Sequence, residues 1–110
     1  IEKAFDYYQN ALKVYRETGE KSGEASAISS LAEIYWLRND RQKAVENYEK
    51  SLVLYKSLNF REGEANALSS LGFIYEISGN ADKAINNHNL ALPIYRLLGS
   101  QSGEAMSLYG

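Results

Sequence analysis

The chain repeats itself every forty residues. Shifted against itself by that distance, Ala4, Ala44 and Ala84 coincide, as do Leu12, Leu52 and Leu92, and then Tyr15, Tyr55 and Tyr95. Arg16, Lys56 and Arg96 form one basic position. Gly23, Gly63 and Gly103 are each followed by Glu-Ala. The segments SGEASAISSLAEIY (22–35) and EGEANALSSLGFIY (62–75) are near-copies, and a third, SGEAMSLYG, begins at Ser102. The register holds without a gap. A fixed period of this length marks an architecture in which one unit cannot bury its apolar face alone and stacked neighbours share a core.

Each unit carries two helical patterns, here termed A and B. In the first, Ala25, Ile28, Leu31, Ala32 and Tyr35 recur at three- and four-residue spacing, as on one face of an α-helix. In the second, Ala44, Tyr48, Leu52 and Tyr55 form a similar stripe, with Lys43, Glu46 and Lys50 on the opposite, solvated side. Turn residues fall between the patterns. Asn39-Asp40 and Gly79-Asn80 separate A from B, with Asp40 and Asn80 as N-caps, and Gly19, Asn59 and Gly99 close the B helices. The spacing predicts helices over 2–18, 21–38, 41–58, 61–78 and 81–98, and a sixth from 101. The fold class is therefore all-α.

Small residues mark close approaches. Ala44 and Ala84 are expected to face Ala32 and Gly72. Glycine inside a helix costs about 1 kcal/mol relative to alanine, so Gly23, Gly63 and Gly103 imply a neighbouring backbone crowding the start of each A helix. Glu24, Glu64 and Glu104 lie in that first turn, where the helix dipole favours an acid. The single proline, Pro93, falls inside a predicted helix at the position of Lys13 and Val53, and reads as a tolerated kink on an outer surface.

Composition narrows the function. A net charge of −2 on 110 residues gives no basic field for nucleic acid. Cysteine is absent, so disulfides and thiolate metal sites are excluded. No histidine or cysteine pair has metal-ligand spacing, no glycine-rich phosphate loop is present, and no cofactor is implied. The one histidine, His88, occupies the slot of Tyr8 and Tyr48, which is a packing position for a ring. Glu33 and Glu76 lack the burial or third group that an acid–base pair needs. With neither a signal segment nor a membrane-spanning run in the sequence, a cytoplasmic setting is favoured, with no membrane partner.

These residues resemble the tetratricopeptide repeat, whose pattern is Trp-x2-Leu-Gly-x2-Tyr, then Ala-x3-Phe, then Pro. Leu68, Leu71, Gly72, Tyr75, Ala84 and His88 fill the slots in order. Ile28, Leu31, Ala32, Tyr35, Ala44 and Tyr48 fill them one unit earlier, and Ala4 and Tyr8 belong to a half unit. The period is forty instead of thirty-four, and Arg16, Lys56 and Arg96 stand where the closing proline would be. The longer period is similar to that of Pins-type regulators, of bacterial quorum-sensing regulators and of cyanobacterial repeats joined to a caspase-like CHAT domain.

The resemblance implies a right-handed superhelix of antiparallel helix pairs in one domain. The domain comprises a half repeat (1–20), full repeats (21–60 and 61–100) and a truncated repeat (101–110), and is expected to be part of a longer protein. It also implies that the A helices line a concave groove. The lining positions fall on Ser26, Ser29, Ser30, Glu33, Trp36 and Leu37, then on Asn66, Ser69, Ser70, Phe73, Glu76 and Ile77, then on Met106, Tyr109 and Gly110.

The implied function is non-enzymatic binding of a protein or peptide, the alternative being a spacer that positions a neighbouring effector domain such as a CHAT protease. No basic residue falls on the lining positions, so an acidic ligand is disfavoured. The uncapped ends also lead to an expectation of weak end-to-end association, the segment from 101 meeting the helix over 2–18 of another copy.

Overall fold

The computed structural model describes residues 2–99. Five helices follow one another, α1 (Glu2–Thr18), α2 (Lys21–Leu37), α3 (Arg41–Ser57), α4 (Arg61–Ile77) and α5 (Ala81–Leu98), with no strand among the described residues. Their bounds agree with the sequence expectation to within one residue. The sixth predicted helix, with Met106, Tyr109 and Gly110, lies outside the described residues.

The helices stop on a fixed beat because the chain supplies a left-handed residue every twenty positions. Gly19, Asn39, Asn59, Gly79 and Gly99 have φ of 73°, 63°, 56°, 83° and 70°. Glycine takes this region freely, and asparagine is one of the few other residues that tolerates it. The closures of α2 and α4 are Schellman motifs. Asp40 N donates to Tyr35 O at 2.9 Å and Asn39 N to Trp36 O at 3.0 Å, while Asn80 N donates to Tyr75 O at 2.8 Å and Gly79 N to Glu76 O at 3.2 Å. The residue ending each motif also caps the next helix. Asp40 Oδ1 accepts from Lys43 N at 3.2 Å, and Asn80 Oδ1 accepts from Lys83 N at 3.3 Å.

The chain divides into two compact units, Ile1–Asn59 and Phe60–Gly110. The division falls within one residue of a repeat boundary. In the first unit α1 packs on α2 and α2 on α3. Contacts at both ends make α1 and α2 antiparallel. Arg38 Nη2 of α2's C-cap donates to Glu2 Oε1 at 2.6 Å, and its guanidinium lies 4.2 Å from the Phe5 ring centroid. At the opposite end Arg16 Nε reaches Glu24 Oε2 at 3.3 Å, and Lys21 Nζ reaches Glu24 Oε1 at 3.4 Å. The acid expected at the start of this helix is thus held by two cations as well as by the helix dipole.

The apolar stripe of α2 is buried as its spacing predicts. Ala25 and Ala32 are fully buried, and Ile28 and Leu31 nearly so, whereas Tyr35 is half-buried. Ala27 and Ile34 are also buried. On α3, Ala44 and Ser51 have no exposed surface and Tyr55 is buried, while Tyr48 and Leu52 are half-buried. The position shared by Ser51 and Ala91 is the tighter one, because both are fully buried where Leu52 and Leu92 are not. On α1 no residue is buried: of the expected half-covered stripe Ala4, Tyr8, Ala11, Leu12 and Tyr15, the last four are half-buried against the rest of the unit and Ala4 is exposed.

In the second unit α4 packs on α5. Leu68, Leu71, Gly72 and Ile74 of α4 are buried, with Ala84, Ala91, Ile94 and Tyr95 of α5. Pro93 does not interrupt α5 and is exposed, which agrees with its placement on an outer surface.

Both helical glycines whose surroundings are described are crowded first by rings, at Gly23 in place of the backbone expected there and at Gly72, which was expected to face Ala84, by His88. A β-carbon on Gly23 would lie 2.5 Å from Tyr15 Cδ1. One on Gly72 would lie 3.0 Å from His88 Cε1 and Nε2. Sequence spacing marks where room is needed, but aromatic side chains reach farther than the smallest neighbours and fill the space first.

Candidate functional site

Along α2 the row predicted to face a ligand stays apart from the core stripe. Ser26 and Glu33 are exposed, Ser29 and Ser30 half-buried, and Leu37 is 58% exposed. Trp36 is half-buried. The Arg41 guanidinium, at the start of α3, lies 5.7 Å from the Trp36 ring centroid, within cation–π range. A cation therefore stands beside this row, although none falls on the lining positions of α2 or α4. Arg41 belongs to the next helix, so following the lining positions along α2 passes over it.

The equivalent row on α4 is better defined. Asn66 and Glu76 are exposed, and Ser69 and Ser70 are half-buried. Phe73 and Ile77 are 48% and 46% exposed, although the opposite face of the same helix is closed. One side chain from α5 reaches this row. Tyr95 is buried, its hydroxyl donates to Asn66 Oδ1 at 2.7 Å, and it lies 3.3 Å from Ser69 Oγ. Asn66 and Ser69 are thereby joined through a third residue that repeat spacing marks only as a packing tyrosine. The signal available in the sequence was a hydroxyl on the buried face, which needs a polar partner.

His88 is held as a packing ring. It lies against Gly72, and both ring nitrogens are buried without a hydrogen-bond partner. Neither nitrogen is presented to a substrate or a metal. Among the described residues no group of three or more histidine, cysteine, aspartate or glutamate side chains is placed to hold a metal ion. No helix among them is long and apolar enough to cross a membrane.

Helix pairs closed by the same turn every twenty residues, each A helix keeping one row outside its core, define an α-helical repeat module. The tetratricopeptide repeat family model matches residues 1–57, and the chain belongs to that family. No curated protein matches it. Tetratricopeptide repeats generally mediate protein–protein interaction or scaffolding, and are typically non-enzymatic.

Proposed function

We propose that the chain is a non-enzymatic binding module that takes a protein or peptide on the exposed rows of α2 and α4. The observation that carries this is the exposure of large apolar side chains on those rows. Leu37 is 58% exposed, Phe73 48% and Ile77 46%, beside hydroxyl and amide groups that can satisfy a peptide backbone. Each row is a contact surface in its own right. Recognition is by shape and neutral hydrogen bonding, because the charged side chains on the two rows are Glu33 and Glu76. Arg41 adds one cation at the edge of the α2 row.

Capture from a lysate by the chain, compared with capture by the Leu37→Ala/Phe73→Ala double variant, tests this. Both residues are exposed, so the variant is expected to fold and to lose the captured protein. Equal capture by both would reject the α2 and α4 rows as the binding surface. Capture of nothing by either would favour a spacer that positions a neighbouring domain.

A further inference from the structure

The hydrogen bonds between α4 and α5 fix which way one side chain of the proposed contact row is turned. Tyr95 has a single hydroxyl hydrogen. That hydrogen is given to Asn66 Oδ1 at 2.7 Å. The 3.3 Å contact between Ser69 Oγ and the Tyr95 hydroxyl must then run the other way, with Ser69 as the donor. The resulting chain, from Ser69 to Tyr95 to Asn66, consumes the amide oxygen of Asn66. It leaves the amide nitrogen, with its two hydrogens, to a residue that is exposed as a whole.

We propose that Tyr95 is a positioning residue for ligand recognition. By holding Asn66 with its amide nitrogen outward, it makes the α4 row a reader of neutral hydrogen-bond acceptors, namely the main-chain carbonyls of an extended peptide. The inference rests on the peptide-binding function proposed above. A ligand that covers an outward N–H2 group and displaces its water must supply an acceptor in return. Between Asn66 and Ile77 the one charged residue of α4 is Glu76, an acid, which disfavours a carboxylate and leaves the uncharged carbonyl. Phe73 and Ile77, on the same exposed row, supply apolar contact for the side chains that such a peptide would carry. The α2 row has Ser26 at the equivalent position, a hydroxyl with one hydrogen, so the two rows are not interchangeable.

The test selects short random peptides displayed on phage against the immobilised 110-residue chain. The most enriched sequence, synthesised with blocked ends so that it carries no terminal charge, is the probe. Asn66→Asp keeps the oxygen that accepts from Tyr95 but replaces the outward donors with a second acceptor. Its affinity for the probe should fall about tenfold or more. Tyr95→Phe keeps the ring and releases the amide, and should weaken binding by about three- to tenfold. Adding Tyr95→Phe to Asn66→Asp should cost nothing further, since the hydroxyl acts only through the amide.

In the unliganded protein, Tyr95→Phe should also lower the order parameter of the Asn66 side-chain amide by NMR, a signature that lost packing alone would not give. Fully additive losses, or an amide unchanged by Tyr95→Phe, would remove the positioning role. A probe that binds the wild type and Asn66→Asp equally would overturn this inference and leave peptide binding intact. Enrichment of no peptide over an unrelated control protein would overturn both.

Discussion

The ring of Tyr15 occupies the space that a side chain on Gly23 would need. A β-carbon there would sit 2.5 Å from both Cδ1 and Cε1 of the ring. Contacts that close are not found between real atoms, so a larger residue must displace the Tyr15 ring or the helix that carries it. Gly23→Ala gains about 1 kcal/mol in helix propensity, and overpacking costs about 1–3 kcal/mol. The net expectation is a destabilisation of about 1 kcal/mol, read as a lower urea midpoint. In a Tyr15→Ala background the same substitution should be neutral or stabilising, because the obstruction is gone. Equal effects in the two backgrounds would show that the ring is not what requires glycine.

His88 carries two buried nitrogens with no partner, at a position where the preceding units have Tyr8 and Tyr48. Burying a polar group unpaired costs about 1–3 kcal/mol. His88→Phe keeps a ring against Gly72 and removes both polar atoms, so it should raise stability by about 1 kcal/mol in a urea titration. A clear loss of stability would mean that the imidazole has a partner, such as an ordered water, that offsets its burial.

Burial, not strictness of repetition, should rank the core. Leu68 and Leu71 are 3% and 2% exposed, whereas Leu52 and Leu92 are half-buried despite recurring in every unit. Leu68→Ala or Leu71→Ala should cost about 2–5 kcal/mol, and Leu52→Ala distinctly less. Ser51, fully buried, should accept alanine, the residue at Ala91, with little change, while Ser51→Leu should overpack by about 1–3 kcal/mol. Thermal melts of the five variants check the order.

The helices were legible in the sequence because every local signal agrees. Apolar periodicity, N-caps at Asp40 and Asn80, and left-handed residues at twenty-residue intervals all mark the same boundaries. The rows of α2 and α4 came from the lining positions that the family resemblance implies, and helical-wheel geometry agrees in setting them apart from the core stripe. What could not be read was which side chain reaches across to another helix. Repeat alignment gives Tyr15, Tyr95 and His88 equivalent packing roles or none. Yet one ring fills the space beside Gly23, one hydroxyl orders Asn66, and one imidazole is sealed against Gly72. Reach depends on rotamer and crossing geometry, which a one-dimensional period does not contain. Arg41 beside Trp36 escaped for the same reason.

Binding through the outer rows of α2 and α4 is tested most directly by NMR mapping of the protein with a selected peptide bound. Amide shifts are expected to concentrate between Ser26 and Leu37 and between Asn66 and Ile77, with Phe73 and Leu37 side-chain signals among the most changed. Lys50, Val53, Leu90 and Leu97, on exposed faces of α3 and α5, should be unmoved. The reverse pattern, shifts along α3 and α5 with the α2 and α4 rows silent, would contradict it.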